Sequence, residues 1–343
     1  MRDYFRVAAF SVAFGVTSFA AVGAAQAQLV VGTYGGTWLD NSRLCFGDAF
    51  EKATGTKVTY VAGSSVQNLA KLRATKGRSE LDVVSMDLQI AKQAKAEGLF
   101  SKLDASKLSH LDEQTDAARD ADSMFVGMSY SSLALAYNPQ RVKEVPTSWN
   151  GLWDPAFKGK LSLPDISQTG GQQLLVAVTR LKGGTLENTD AAFAAIKELK
   201  SSWVTLWTQP DQVIALMERG DIVLAPWYSD RIGAAAAKGL PVAVSFPKEG
   251  AIGSIGAVGI PNGSKNAELA HKYIDVTLSA EGQKCFAEKQ YSGPTNKNVV
   301  LPPELAKVVP YGAVRDALVI PDVEEMARRL PQWAERWGRE IAR

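Results

Sequence analysis

Short apolar β-type runs alternate with helical periods along nearly the whole chain, and this alternation restricts the fold more than any other feature. Leu29–Val31 is an apolar run followed at once by Gly32-Thr33-Tyr34-Gly35-Gly36. A helical pattern then extends from about Trp38 to Thr54, where Gly55 stops it. Lys57–Ala62 alternates as a strand, Val66–Thr75 is helical, Leu81–Ser85 is apolar and Leu88–Glu97 is helical again. Met128–Asn138 is a longer β-type run that Pro139 ends. The alternation then resumes, with strands at Leu161–Leu163, Ile222–Ala225, Val242–Phe246 and Ile255–Ile260. Helices fall at Gly171–Leu181, Asp190–Lys200, Ile232–Lys238, Ala267–Leu278 and Ala280–Lys289. Strands that alternate with helices return parallel to one another, which predicts α/β sheets covered on both faces. In such sheets ligands sit beyond the carboxyl ends of the strands, which places Tyr34–Thr37 and Asp87–Gln89 at a candidate site.

The 343 residues exceed one ordinary core and suffice for two lobes of about 150 residues each. Lys and Arg number 38 against 36 Asp and Glu, with no basic run, so no nucleic-acid partner is expected. At the N-terminus Arg2 and Arg6 precede an apolar stretch from Val7 to Val22, and Ala25-Gln26-Ala27 follows. That order predicts a signal peptide over residues 1–27, cut after Ala27, and an exported, periplasmic mature protein. No Cys stands at the cut, which argues against a lipid anchor. The final helix carries Val323, Met326, Leu330, Trp333, Trp337 and Ile341 on one stripe, read as core packing, with Pro331 expected to bend it.

An exported compartment permits disulfides. Cys45 and Cys285 are the two cysteines; they form one bridge if their Cα atoms come within about 7 Å, or remain two buried thiols. Two histidines, His110 and His271, lie far apart without metal-ligand spacing, so no metal and no cofactor is expected. There is no Gly-x-Ser-x-Gly elbow, and Gly159-Lys160-Leu161 does not complete a phosphate loop. Gly250, Gly253, Gly256 and Gly259 recur at every third residue, but they miss the Gly-x-Gly-x-x-Gly fingerprint. They read as a flexible or tightly packed segment between lobes. No catalytic constellation is found, and the chain is not expected to be an enzyme.

Several stretches, taken in order, resemble one family. They are Tyr34-Gly35-Gly36-Thr37-Trp38, Phe50–Val58, Leu81-Asp82-Val83-Val84, Leu135-Ala136-Tyr137-Asn138 and Pro146–Trp149 through Leu152–Pro155. Phe157–Lys160, Phe246–Gly250, Ile260-Pro261 and Gly293–Asn296 complete the set. The chain resembles the solute-binding proteins of bacterial ABC importers, and in detail their spermidine/putrescine-binding branch. The resemblance implies a type II periplasmic-binding-protein-like fold whose two α/β lobes are joined by two crossings, near Ser131–Ala136 and Glu249–Gly256. Lobe 1 would hold residues 29–134 plus 254–300, and lobe 2 residues 135–253 plus 301–343. Both cysteines then fall in lobe 1, which makes their bridge plausible. It also implies a monomer that captures a small solute by closing, without chemistry, and delivers it to a membrane permease.

By the family's positions, Tyr34 and Trp38 would form an aromatic wall, and Trp227 would offer its face to an alkyl chain or a cation. Asp87 and Gln89 replace a serine and a tyrosine of the polyamine binders. Asp165 lies near an acid that holds an ammonium group, or is a turn and cap, and Tyr291 lies near a cleft tyrosine. Where polyamine binders carry a tryptophan and an aspartate, this chain has Ser254 and Gly256. A buried dication needs paired carboxylates, so the expected ligand is a small nitrogen-containing, amino-acid-like solute such as 4-aminobutyrate, or a short amine. Asp87 or Asp230 would take its ammonium group, and Arg231 or backbone N–H groups near Gly35-Gly36 its carboxylate. A true polyamine is the alternative. An Fe(III) receptor, which needs clustered tyrosines, and an exported enzyme on this scaffold are weaker readings.

Overall fold

The computed structural model describes residues 28–209 and 211–342; the signal segment and its expected cut lie outside the described residues. The first elements are β1 (Gln28–Thr33), α1 (Thr37–Ser42), α2 (Asp48–Thr54), β2 (Lys57–Ala62), α3 (Ser65–Ala74), β3 (Val83–Asp87), α4 (Leu88–Ala96), β4 (Phe100–Ser101) and the long β5 (Val126–Tyr137). Then follow β6 (Leu161–Pro164), α5 (Thr169–Leu181), α6 (Asp190–Glu198), β7 (Trp203–Trp207), α7 (Asp211–Arg219), β8 (Leu224–Tyr228), α8 (Ser229–Ala237), β9 (Ala243–Ser245) and β10 (Ile252–Pro261). The chain ends with α9 (Ala267–Leu278), α10 (Ala280–Gln290), β11 (Gly293–Pro294), α11 (Pro303–Ala306), α12 (Ala313–Asp316) and α13 (Val323–Glu340).

The strands order as β2-β1-β3-β10-β5-β8-β6-β7, with β9 and β11 on β5 and β4 on β10. The β1–β2, β1–β3, β6–β7 and β6–β8 pairs are parallel, as strand–helix alternation demands. β10 runs antiparallel to β3 and β5, and β5 runs antiparallel to β8, so this pair joins the two halves. β5 pairs with β10 from Val126 to Leu133, and with β8 from Leu133 to Tyr137. One strand thus belongs to both lobes, and Leu133 marks the crossing. Each lobe sandwiches its part of the sheet between two apolar layers. In the first these centre on Phe46, Phe50 and Phe286, and on Met86, Ala91 and Phe125. In the second they centre on Trp149, Leu174, Phe193 and Trp337, and on Trp207, Val213 and Trp227.

Three local features differ from the sequence reading. The helix expected from Trp38 to Thr54 widens into a π turn over Arg43–Gly47, where Cys45 sits. β7 and α7 were not anticipated, because β7 is an edge strand on which Val204 is half exposed and apolar alternation is weak. The segment after residue 300 does not belong wholly to the second lobe. Leu301, Leu305 and Val309 pack with Ala287 of α10, whereas Met326, Trp333, Trp337 and Ile341 of α13 join the second lobe's core. Between them Val319 pairs with Ile252, making a third passage between the lobes. α13 continues through Pro331 without a break, its apolar stripe buried as expected.

The glycine series of β10 is explained by close packing. A Cβ at Gly253 would meet Ile320 Cδ1 at 2.5 Å, and one at Gly259 would meet the Phe100 ring at 2.8 Å. The sulfur atoms of Cys45 and Cys285 are bonded across a Cα–Cα distance of 5.5 Å, tying the π turn to α10.

Candidate functional site

The strand ends of the first lobe assemble an acid with two hydroxyl partners. β3 ends at Asp87, whose Oδ1 accepts the Tyr34 hydroxyl at 2.8 Å and whose Oδ2 accepts the Ser65 hydroxyl at 3.0 Å. Ser65 Oγ in turn accepts the Asp87 backbone N–H at 2.9 Å. Tyr34 follows β1 directly, and Ser65 opens α3 because Ser64 and Gln67 form a capping box one residue earlier. Among the described residues no Lys, Arg or His pairs with Asp87. Burial holds its carboxyl above the usual carboxylate range, while the Tyr34 and Ser65 bonds pull the other way. Burial and the adjacent Asp87 charge keep the Tyr34 hydroxyl protonated.

The register extends this site across the sheet. Asp87 lies opposite Gly256 on β10, and Gly256 lies opposite Ser129 on β5; two residues along, Ser254 faces Ser131. Directly paired residues share a face, so a floor of small residues runs beside the acid. The Trp38 ring stands on this floor, 3.7 Å from where a Gly256 Cβ would be, and is met edge-on by Tyr34 at 4.9 Å and Phe286 at 5.0 Å. Its indole N–H is buried with no hydrogen-bond partner among the described residues.

The second lobe contributes the end of β8 and the start of α8. The Tyr228 hydroxyl oxygen accepts the Gly170 N–H at 2.9 Å. Burial pushes this hydroxyl up to about 12, and the carboxylates of Asp230 and Asp87 act in the same direction. Tyr228 therefore stays a neutral group with its own proton to donate. Asp230 accepts the Ser131 hydroxyl at 2.8 Å, and Ser132 bonds Ser229 at 3.1 Å, fixing α8 to the crossing strand. Burial raises the Asp230 carboxyl, with Ser131, Arg231 and N–H groups of its own helix opposing.

Three expected site residues stand elsewhere. Trp227 is fully buried among Ile214, Met217, Leu240 and Val242, since alternation along β8 turns it to the face opposite Tyr228. It is a core residue; Tyr228 is the aromatic group on the cleft side, and only the register could have told the two apart. Trp227→Phe is expected to cost about 1–2 kcal/mol in a urea melt and to leave solute affinity unchanged. Asp165 spends its oxygens on the Ser167 N–H at 2.9 Å and the Trp337 indole N–H at 3.1 Å, so it caps a turn and anchors α13. Arg231 points outward and pairs with Asp211 at 2.9 Å, both side chains exposed. Tyr291 adopts a left-handed φ of 58° and packs its ring against Gly233 of α8. Gln89 is half-buried in the first turn of α4, and Ser254 is half-buried on the floor.

Two α/β lobes that share crossing strands, with polar side chains gathered at their strand ends, are the architecture of a receptor that grips a small molecule between two halves. The chain belongs to the bacterial extracellular solute-binding protein family, whose model matches residues 46–310. It is 28% identical over 354 residues to the gamma-aminobutyric acid-binding protein of Pseudomonas aeruginosa, covering 94% of this chain and 95% of that one. It is 30% identical over 254 residues to the spermidine/putrescine-binding periplasmic protein of Escherichia coli K12, covering 70% and 71%. Among solved structures, an ABC transporter protein from Clostridium perfringens matches at TM-score 0.78 and 27% identity, over 91% of this chain and 99% of that one. A GABA receptor matches at 0.75 and 26%, over 91% and 97%. No helix among the described residues is long and apolar enough to cross a membrane.

Proposed function

We propose that this protein is the periplasmic receptor of an ABC importer. It captures a small amine-bearing solute, amino-acid-like such as 4-aminobutyrate or a short amine, and hands it unchanged to a membrane permease. The observation that carries the ligand class is Asp87: a half-buried carboxylate held by two hydroxyls and paired with no Lys, Arg or His among the described residues. Such a charge is costly unless a counter-ion joins it, and a solute ammonium group supplies one. Tyr228 offers an uncommitted hydroxyl proton from the facing lobe, suited to the solute's anionic end. Closure follows because the solute touches both lobes only when they meet. The mature chain, freed of residues 1–27, would act as a monomer and without catalysis.

Asp230 favours a second reading. It is another half-buried acid, on the facing lobe, and a polyamine such as putrescine would use both carboxylates. A thermal-shift screen of the mature protein distinguishes the two. A ligand at a hundredfold its Kd stabilises by about 2.7 kcal/mol. 4-Aminobutyrate or a related ω-amino acid is expected to raise the melt, with putrescine and spermidine far weaker. The reverse order would establish the polyamine reading, and no shift with any amine would remove both.

A further inference from the structure

We infer that the Trp38 ring is the element that makes this cleft refuse diamines, a conclusion that rests on the amine-receptor reading above. The argument is spatial. Asp87 stands at one end of the small-residue floor, directly opposite Gly256, while Asp230 is bonded to Ser131, two residues further along the same strands. A diammonium solute can neutralise both acids only by lying across the floor between them. The far edge of the Trp38 six-membered ring occupies that floor, 3.7 and 3.8 Å from the Cβ position of Gly256. Tyr34 and Phe286 hold the ring edge-on at 4.9 and 5.0 Å, each near 78°, so it cannot swing aside without breaking two aromatic contacts. The ring lies in ordinary contact distance above Gly256, while the nearest group to that position is the Ser129 hydroxyl at 2.9 Å.

A solute anchored at Asp87 is thereby directed away from the floor and toward the second lobe, where Tyr228 presents its hydroxyl. A single ammonium group is satisfied there. A second one, denied the path to Asp230, would be buried without a partner, which binding energy does not tolerate. Trp38 thus acts by exclusion, a repulsive element of specificity rather than an added contact.

The substitution that isolates this role is Trp38→Phe. It keeps a ring between Tyr34 and Phe286 but removes the atoms that reach Gly256. Putrescine and 4-aminobutyrate form the matched probe pair, since they share a four-carbon chain and differ at one end. Calorimetric titration of the mature protein is expected to show putrescine binding strengthened by about tenfold or more in Trp38→Phe, and the ratio of putrescine to 4-aminobutyrate affinity raised by at least as much. Trp38→Leu serves as a second variant with the same expectation. Parallel loss of both solutes would assign Trp38 to direct contact and overturn the inference. Unchanged putrescine binding in both folded variants would overturn it too. Tight putrescine binding by the unaltered chain would overturn the exclusion role while leaving an amine receptor in place. Failure of the unaltered chain to bind any amine would instead remove the underlying reading, and this inference with it.

Discussion

Joint replacement of Cys45 and Cys285 by serine is expected to lower the melting temperature by roughly 10 °C. The bridge spans 240 residues of sequence and closes a loop around most of the chain. In the chain-entropy account such a loop restricts the unfolded state by about 5 kcal/mol, and one kcal/mol moves the midpoint of a chain this size by about 2 °C. The bridge also fixes the π turn of Cys45 against α10, whose next residue, Phe286, holds the Trp38 ring. Scanning calorimetry of oxidised wild type against the double variant measures the effect. Equal melting temperatures would show that the connection restricts nothing the remaining fold does not already restrict.

Asp87→Asn is expected to weaken binding of the ammonium solute by roughly 30-fold to more than 1,000-fold, the range for losing one partner of a buried, hydrogen-bonded charge pair. Asparagine retains shape and can still accept from Tyr34 or Ser65, so the loss would report charge rather than packing. The unliganded protein should be no less stable at neutral pH. The folded Asp87 carboxyl titrates above its unfolded value because burial disfavours the anion. The native chain therefore holds this proton more readily than the unfolded chain does. The contribution of Asp87 to stability falls as pH rises from its unfolded to its folded titration point, and the substitution removes that penalty. Solute affinity runs the opposite way, declining as pH drops through the raised titration point while an ordinary carboxylate would still be ionised. Isothermal titration at two pH values and a parallel melt test both statements. An Asn variant that binds with wild-type affinity would take the ammonium away from Asp87.

How much of the site the sequence disclosed depends on whether a residue's role was local. Tyr34 and Asp87 were accessible because each stands at the carboxyl end of a strand, where ligands sit wherever strand and helix alternate. Asp165 and Arg231 misled because a side chain's direction is set by partners distant in sequence. Trp337 arrives 172 residues later to occupy Asp165, and Asp211 draws Arg231 to the surface. Trp227 and Tyr228 are adjacent aromatics on one strand, where a shift of a single residue exchanges core for cleft.

The α/β class, the buried stripe of α13 and the candidate strand-end loops follow from hydrophobic period and turn chemistry, which act over a few residues and are written in the chain; the crossing at β5 was implied only by the family resemblance. Which acid stays uncompensated, which aromatic meets the solute, how residues after 300 divide between the lobes and why Gly256 lacks a side chain were decided only on folding. Those properties depend on β10 lying between β3 and β5, a neighbourhood made by contacts more than a hundred residues apart, and no local pattern encodes the distance between such groups.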